Sequence, residues 1–209
     1  MLQEFSTESI SPGTSTVVLE TERLTLRHPT LADVKAIACL ADDRRIAENT
    51  RRLPHPFTLR DAEAVVAATA GRANATTFLI AHDDMPIGIA GLESGHAAPE
   101  LGLWLGVDFW GHGFATEAAR AVIDHAFETF DAVELTAGAR VVNPASRRVL
   151  EKCGFQWTGV ELHRFLALGS STPVDRFRLD RGVWASLRRW RQAARRDSPP
   201  IAAFMPAAE

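Results

Sequence analysis

A glycine-rich segment carries the clearest chemical signal in the sequence. It reads Trp110-Gly111-His112-Gly113-Phe114-Ala115-Thr116-Glu117 and runs into a strongly helical pattern. The first N–H groups of a helix lack partners within the helix and lie at the positive end of its dipole, so they bind anions such as phosphate. Glycines there let a ligand approach the backbone closely. The segment predicts a phosphate-cradling loop that opens a helix, although a tight strand-to-helix turn without a ligand gives the same pattern.

Two common nucleotide sites and a metal site are disfavoured by the sequence. A dinucleotide-binding fingerprint needs a third glycine three positions after Gly113, and Thr116 stands there. No Gly-Lys-Ser/Thr follows, as a Walker loop would require. No cluster of Cys, His, Asp and Glu has metal-ligand spacing, and no Gly-x-Ser-x-Gly elbow occurs. We therefore expect no metal.

Four segments in order resemble the GNAT acetyltransferases and, within them, the RimJ/RimL type that acetylates protein N-terminal amines. They are an opening strand (Thr21–Arg27), a central strand (Glu100–Leu105), an acetyl-CoA loop (Trp110–Ala118) and a segment beside the thioester (Asn143–Phe155). Four motifs at fitting spacing are far more specific than one. The resemblance covers residues 17–184 and implies an α+β GNAT fold, with a mixed, mainly antiparallel central sheet flanked by helices.

The resemblance also implies how acetyl-CoA is held. The central strand should splay from its neighbour after Leu105, so that the pantetheine arm adds to it like a strand. The Leu105 amide is the candidate that stabilises the thioester oxygen during attack. Trp110 replaces the usual leading Gln or Arg of the loop, so the backbone must hold more of the phosphate. The implied cofactor contacts are Leu103, Leu105, Trp110, Gly111, His112, Gly113, Phe114, Ala115, Thr116, Asn143 and Ser146.

Transfer to an amine needs a base, and the departing thiolate benefits from an acid. Many GNAT enzymes use a tyrosine as that acid, but this sequence contains none. Ser146 is the replacement that the RimJ/RimL pattern suggests, and a serine satisfying a helix end is the alternative. Asn143 is either a plain helix cap or a cap that also contacts the pantetheine or a water. Glu100 is the best base candidate because it begins the central strand, and a solvated strand-end carboxylate is its alternative.

Other polar and aromatic residues are weaker candidates for the site. His112 is expected to be an exposed loop side chain, and His96 and His163 are weaker still as bases. Trp104 and Trp157 could line the acceptor pocket, but we expect both to pack in the core.

The elements that must position these residues follow from periodicity and caps. Capping boxes at Thr30 with Asp33 and at Thr58 with Asp61 predict helices to about Asp42 and to Gly71. Residues 44–56 are predicted to form a loop or a broken helix. Helices are further predicted after the glycine loop and from Asn143 to Gly154. The predicted strands are Val17–Arg27, Thr77–Ala81, Ile87–Leu92, Glu100–Leu105, Val133–Val141, Trp157–Leu168 and Val174–Leu179.

Length and composition indicate one catalytic domain. The 209 residues predict a flexible segment at 1–16, a single GNAT domain at 17–187, and an Arg-rich then Ala/Pro-rich tail at 188–209. The net charge of −3 disfavours nucleic acid as a partner. No apolar run approaches the roughly 20 residues that cross a bilayer, and no secretory signal is found, so we expect a cytoplasmic protein. Cys39 and Cys153 are expected to be reduced core thiols.

These observations predict an N-acetyltransferase that passes an acetyl group from acetyl-CoA directly to a primary amine in a ternary complex. A protein N-terminus is the expected acceptor, and a small amine such as an antibiotic or a polyamine is the first alternative. A non-catalytic acyl-CoA-binding module is the second. The pocket predicted at residues 47–56, 93–99 and 163–172 would decide the acceptor. Homodimers are frequent in the family, and a homodimer is compatible with this sequence.

Overall fold

The computed structural model describes residues 18–69, 76–93 and 98–197. Eight strands form one sheet in the order β1-β2-β3-β4-β5-β6-β8-β7. All neighbours are antiparallel except β5 and β6, which confirms the predicted α+β class and the mixed, mainly antiparallel sheet. The strands are β1 (Val18–Glu20), β2 (Thr25–Arg27), β3 (Thr77–His82), β4 (Met85–Glu93), β5 (Glu100–Leu105), β6 (Glu134–Arg140), β7 (Gln156–Phe165) and β8 (Ser170–Asp180).

Six α-helices flank the sheet in the described residues. They are α1 (Val34–Ala41), α2 (Arg44–Ala47), α3 (Leu59–Thr69), α4 (Phe114–Thr129), α5 (Pro144–Lys152) and α6 (Arg181–Asp197), with 3-10 turns at Leu31–Asp33 and Val107–Phe109. The region predicted as a loop or broken helix thus contains the single turn of α2. Gly71, the predicted end of α3, lies outside the described residues.

The predicted caps of the first helical segments are present. The backbone N and the hydroxyl of Thr30 donate to Asp33 Oδ2 at 2.7 and 2.8 Å, and Thr58 N donates to Asp61 at 2.8 Å. Asp33 also accepts two bonds from Arg27, at 2.8 and 2.7 Å. The hydrogen bond from Arg27 is the main reason that the pKa of Asp33 falls to about 2. This buried ion pair ties the start of α1 to strand β2.

Two hydrophobic cores lie on opposite faces of the sheet. The larger packs α4, α5 and α6 against one face and includes Leu101, Leu105, Val122 and Phe177. The smaller packs α1, α2 and α3 against the other face, on Leu79 and Ile89, with Trp104 partly buried beside them. Successive residues of a strand point to opposite faces, so β5 contributes Leu101 and Leu105 to one core and Trp104 to the other. Strand β5 therefore lies between two packed layers.

Several expectations about strands and buried side chains differ from the structure. The predicted single strand Val17–Arg27 forms two short strands, β1 and β2, which pair antiparallel to each other. Cys153 is buried as expected, but Cys39 is exposed, because it lies on the outer side of α1. Trp157 is 54% exposed and donates to Asp175 at 2.9 Å, so it neither packs in the core nor lines the acceptor pocket. Residues 188–197 of the predicted Arg-rich tail belong to α6.

Pairing across the helices explains why α6 continues. Arg188 pairs with Glu128, and Arg191 pairs with Asp124 at 3.2 Å, so both arginines fix α6 to α4. The predicted flexible segment 1–16 and residues 198–209 of the predicted tail lie outside the described residues, whereas residues 188–197 of that tail form the end of α6. Among the described residues, none of the helices is long and apolar enough to cross a membrane.

Candidate active site

The glycine loop has the backbone that a close ligand approach requires. Gly111 and Gly113 have φ of 81° and 84°, the left-handed region in which a Cβ is unfavourable. Gly113 caps α4, and its carbonyl accepts from Thr116 N and Glu117 N at 3.1 and 3.2 Å. The first N–H groups of α4 have no preceding turn to bond. The loop therefore presents backbone donors, as the sequence predicted.

An ion pair between Arg23 and Glu117, which we did not predict, connects the glycine loop to the segment between β1 and β2. Glu117 accepts from Thr21 Oγ1 at 2.7 Å and from Arg23 Nη2 at 2.6 Å, while Arg23 Nη1 donates to the His112 carbonyl at 3.1 Å. Burial alone would raise the pKa of Glu117, but the bonds from Thr21 and Arg23 outweigh it and hold the pKa below its ordinary value. Both partners lie in segments that carried the family resemblance, but their pairing was not visible in the spacing.

Trp110 connects the loop to the end of β5. Its indole Nε1 donates to the Leu105 carbonyl at 2.9 Å, while the ring stays 43% exposed. A Gln or Arg at this position could reach a phosphate, whereas this indole N–H is already used within the protein. The structure thus gives Trp110 a structural role beside the loop, and the backbone of the loop is left to bind an anion.

Strands β5 and β6 separate after one short stretch of pairing. They pair only at Glu100 with Thr136 and at Leu101 with Ala137. Gly106 N donates to the Ile87 carbonyl at 2.8 Å, so by the antiparallel alternation the N–H and carbonyl of Leu103 and the N–H of Leu105 point away from β4 and into the gap. The Leu105 carbonyl points the same way and accepts from Trp110 Nε1. This unpaired edge fits a peptide-like ligand such as pantetheine.

Helix α5 begins beside the gap with the predicted cap. Asn143 Oδ1 accepts from Ser146 N at 3.1 Å, and Asn143 Nδ2 donates to Ser146 Oγ at 2.9 Å. Because Oγ accepts from Nδ2, the hydroxyl proton of Ser146 is left to donate elsewhere. The capping role is confirmed, and it orients the hydroxyl that the acid role would need.

Glu100 lies at the closed end of the gap among positive charges. Its Oε1 accepts from Arg176 Nη1 at 2.8 Å, and Arg51 Nη2 lies 3.7 Å from Oε2. Burial alone would raise the pKa of Glu100, but the hydrogen bond and charge of Arg176, with the charges of Arg51 and His163, hold the pKa below its ordinary value. The carboxylate is therefore ionised at neutral pH and is a weaker base than a free glutamate.

A glycine in β6 makes the contact between Glu100 and Arg176 possible. Gly138 pairs with Arg176 across β6 and β8, and a Cβ on Gly138 would lie 2.8 Å from Arg176 Nη1 and 3.6 Å from Glu100 Oε1. Any side chain here would displace the guanidinium. We did not predict Gly138 or Arg176 as site residues, and Arg51 was included only within the predicted pocket range 47–56. A glycine inside a strand signals close approach of another group.

His163 joins the same network and is not free to act alone. Its Nδ1 lies 3.2 Å from Arg51 Nη1, and its Nε2 lies 2.9 Å from Glu161 Oε2. Arg52 pairs with Glu93 at 2.9 Å at the outer side of this cluster. From the predicted acceptor pocket, the cavity includes residues 49–52, Glu93, His163 and Phe165, and this part of the cavity is strongly charged. His96 and the rest of residues 94–97 lie outside the described residues.

One cavity of about 570 Å³ connects these parts. It brings together every predicted site residue except His112, which is exposed and stacks on Phe114 at 5.8 Å between ring centroids. The predicted residues that line it are Glu100, Leu103, Leu105, Trp110, Gly111, Gly113, Phe114, Ala115, Thr116, Asn143 and Ser146. Within the described ranges, no group of three or more metal-ligating side chains is found.

Comparisons with known proteins agree with this geometry. A family model described as an acetyltransferase (GNAT) domain matches residues 23–156. The uncharacterised N-acetyltransferases p20 of Bacillus licheniformis and YoaA of Bacillus subtilis are each 31% identical to this chain, over 68% and 76% of it and 84% and 92% of their own lengths. The ribosomal-protein alpha-N-acetyltransferase RimL, solved with coenzyme A, superposes with a TM-score of 0.69 at 17% identity, covering 78% of this chain and 98% of its own. The chain belongs to the GNAT family of acetyltransferases.

Proposed function

We propose that this acetyltransferase passes the acetyl group of acetyl-CoA directly to a primary amine while both substrates are bound. The separation of β5 and β6 carries the proposal, because the gap exposes the N–H and carbonyl of Leu103 and the N–H of Leu105 between two packed layers. These groups would hold pantetheine as an added strand. The loop from Gly111 to Thr116 would bind the pyrophosphate at the start of α4.

The chemistry requires one bond to form and one to break. The amine nitrogen bonds to the acetyl carbon, the carbon–sulfur bond breaks, and coenzyme A leaves as a thiolate. The Leu105 N–H would stabilise the oxygen that becomes negative during attack. Ser146 would pass a proton to the departing sulfur and regain one from solvent water, so that coenzyme A is released as the thiol, and Glu100 would accept the proton of the amine through a water molecule. Glu100 is ionised at neutral pH, as a group that accepts a proton must be.

A protein N-terminus is the acceptor that we favour. RimL is an alpha-N-protein acetyltransferase, and the cavity of this chain is open and lined by polar residues of α2 and the segment after it, including Asn49, Thr50 and Arg52. An extended peptide can lie along such an opening, whereas a small amine is usually enclosed by its pocket. A small-amine acceptor is the alternative within the enzyme class.

A thiol-release assay tests the proposal. Acetyl-CoA would be offered with N-terminal peptides, polyamines and aminoglycosides, and the free thiol of coenzyme A would be measured with time. Transfer to peptides, with little transfer to the small amines, is the expected result. Faster transfer to a small amine would show that a small amine, and not a protein N-terminus, is the preferred acceptor. Acetyl-CoA binding without transfer to any acceptor would favour a non-catalytic acyl-CoA-binding module.

A further inference from the structure

Arg140, the last residue of β6, lines the cavity on the acceptor side without a carboxylate partner among the described residues. Its Nε donates to Thr172 Oγ1 at 3.3 Å, and its Nη1 donates to the Glu48 carbonyl at 2.9 Å. The guanidinium carbon lies 5.6 Å from the centre of the Phe165 ring. A guanidinium has five N–H donors. These contacts therefore orient Arg140 and leave donors for another acceptor.

The other arginines on this side of the cavity are already neutralised. Their shortest carboxylate pairs are Arg45 with Asp43 at 2.6 Å, Arg51 with Glu93 at 3.4 Å, Arg52 with Glu93 at 2.9 Å and Arg176 with Glu100 at 2.8 Å. A half-buried charge without a partner is unfavourable, and an anionic ligand would remove that cost. Arginine forms its strongest bonds with carboxylates and phosphates, by paired N–H donors.

The position of Arg140 sets the distance between this anion and the reacting amine. Glu100 Oε1 lies beside Gly138, at 3.6 Å from the Cβ position of that glycine. Arg140 is two residues further along β6, which is about 6 to 7 Å. Its guanidinium reaches further still, towards Thr172 of β8. An amine near Glu100 would thus have the anion roughly 6 to 10 Å away.

This distance distinguishes two sources of a carboxylate. In a free α-amino acid the carboxylate carbon lies within about 3 Å of the amine nitrogen, because only two bonds separate them. An acidic side chain one or two residues after an N-terminal amine can span the longer distance, since each residue extends the chain by about 3.3 to 3.6 Å. We propose that the acceptor is a peptide N-terminus with Asp or Glu at its second or third position, and that Arg140 binds this side chain. The inference rests on the proposed function and adds its sequence preference.

Binding of matched peptides tests the inference without relying on turnover. The full chain would be saturated with coenzyme A, which cannot transfer an acetyl group, and titrated calorimetrically with Ser-Glu-Ala-Ala-Ala-Ala and Ser-Gln-Ala-Ala-Ala-Ala. A second pair would carry Glu or Gln at the third position. In at least one pair, the wild type should bind the acidic peptide about tenfold more tightly than its amide twin, the ratio that a charge-assisted hydrogen bond typically gives.

Three variants assign the preference to Arg140. Arg140→Gln should bind both twins equally, and Arg140→Lys should keep part of the preference because it keeps the charge. Arg45→Gln is the matched control, since Arg45 lines the same cavity but is paired with Asp43, and it should keep the full preference. Equal binding of the twins by the wild type in both pairs, or a preference that survives in Arg140→Gln, would overturn the inference.

Transfer rates separate this inference from the proposed function. If the acidic peptides bind preferentially through Arg140 but are not acetylated, the anion subsite stands and the proposed transfer fails. If peptides are acetylated and the twins have equal kcat/KM, the proposed transfer stands and the role of Arg140 is wrong. Folding of each variant would be checked by its thermal unfolding and by its affinity for acetyl-CoA, which the substitution of Arg140 should leave unchanged.

Discussion

At the scale of single residues, Ser146 combines a structural bond and a free proton donor. The Asn143 side chain satisfies the Ser146 N–H and also donates to its hydroxyl oxygen. Helix capping and catalysis are often treated as competing explanations of a serine at this position. Here the cap fixes the hydroxyl in the orientation that proton donation would need, so one arrangement supports both roles.

Replacement of this hydroxyl should therefore affect the chemical step more than binding. We expect Ser146→Ala to lower kcat by about 10² or more, as general acids typically contribute, while the affinity for acetyl-CoA changes little. Ser186→Ala is the control, because the Ser186 hydroxyl bonds only its own helix, at the Gly182 carbonyl. Single-turnover rates would give the chemical step directly. A wild-type rate in Ser146→Ala would leave the serine with its capping role alone.

Glu100 should raise kcat at every pH near neutrality without producing an inflection in the pH–rate profile there. Its pKa lies below the ordinary value, so the carboxylate is fully ionised above about pH 5. Glu100→Gln should lower kcat by about 10² to 10⁴ at every pH above that range. Glu93→Gln, which also alters a carboxylate of the cavity, should have a much smaller effect. A new inflection near neutral pH that disappears in Glu100→Gln would contradict the low pKa.

At the scale of elements, the loop before α4 depends on two left-handed glycines. Gly113→Glu should weaken acetyl-CoA binding by at least about tenfold, because it adds a negative charge to the loop that would bind the pyrophosphate. Gly113→Ala measures the cost of placing a Cβ at this left-handed backbone position, without a new charge. We expect it to destabilise the fold by about 1 to 2 kcal/mol. Calorimetric titration with acetyl-CoA compares the two variants. Equal affinity in Gly113→Glu and the wild type would show that the pyrophosphate binds elsewhere.

The start of α1 supplies a prediction about stability and pH. Asp33 has a pKa of about 2 in the folded chain and an ordinary value of 3.8, so its ionisation stabilises the fold by about 2 kcal/mol at neutral pH. A depressed pKa stabilises above the ordinary value, and this contribution is lost as the pH falls towards 2. The gap in unfolding free energy between the wild type and Asp33→Asn should therefore be constant above about pH 5 and shrink below it.

The matched control for Asp33 is Asp83→Asn in the turn between β3 and β4. The Asp83 side chain is 90% exposed, so its substitution should change the unfolding free energy little at any pH. Denaturant unfolding at several pH values measures the difference in unfolding free energy between the wild type and each of the two variants. A gap for Asp33→Asn that does not depend on pH would mean that Asp33 stabilises α1 without its charge.

At the scale of the whole molecule, no cysteine thiol lies among the described residues of the cavity that would hold both substrates. Cys153 is buried, burial raises the pKa of its thiol to about 11, and Cys39 is exposed on α1. Neither cysteine lines the cavity. We expect intersecting lines in initial-velocity plots of acetyl-CoA against acceptor, and full activity in a chain with both cysteines replaced by alanine. Parallel lines would indicate an acetyl-enzyme intermediate.

The sequence predicted the elements better than the contacts between them. Caps such as Thr30 and Asn143 and the two glycines of the loop were recognisable because their function is local, within a few residues. The turn between β3 and β4 was predicted too wide, since only Asp83 and Asp84 leave the strands and both adopt positive φ. The cluster around Glu100 depends on residues up to 112 positions apart, the separation of Arg51 and His163. Such a pairing leaves no local pattern, and only Gly138 gave a hint of it.

The two cores on opposite faces of the sheet have a consequence for how substrates arrive. The gap between β5 and β6 is bordered by α4 and α5 on one face and by α2 on the other. Coenzyme A bound along α4 and α5 would leave the α2 face open to the acceptor. Acetyl-CoA would then enter and coenzyme A leave on the α4 and α5 face, while the acceptor would enter and its acetylated product leave on the α2 face. A product on one face would not block the other face. A bulky acceptor protein could therefore stay bound to the enzyme while coenzyme A is exchanged.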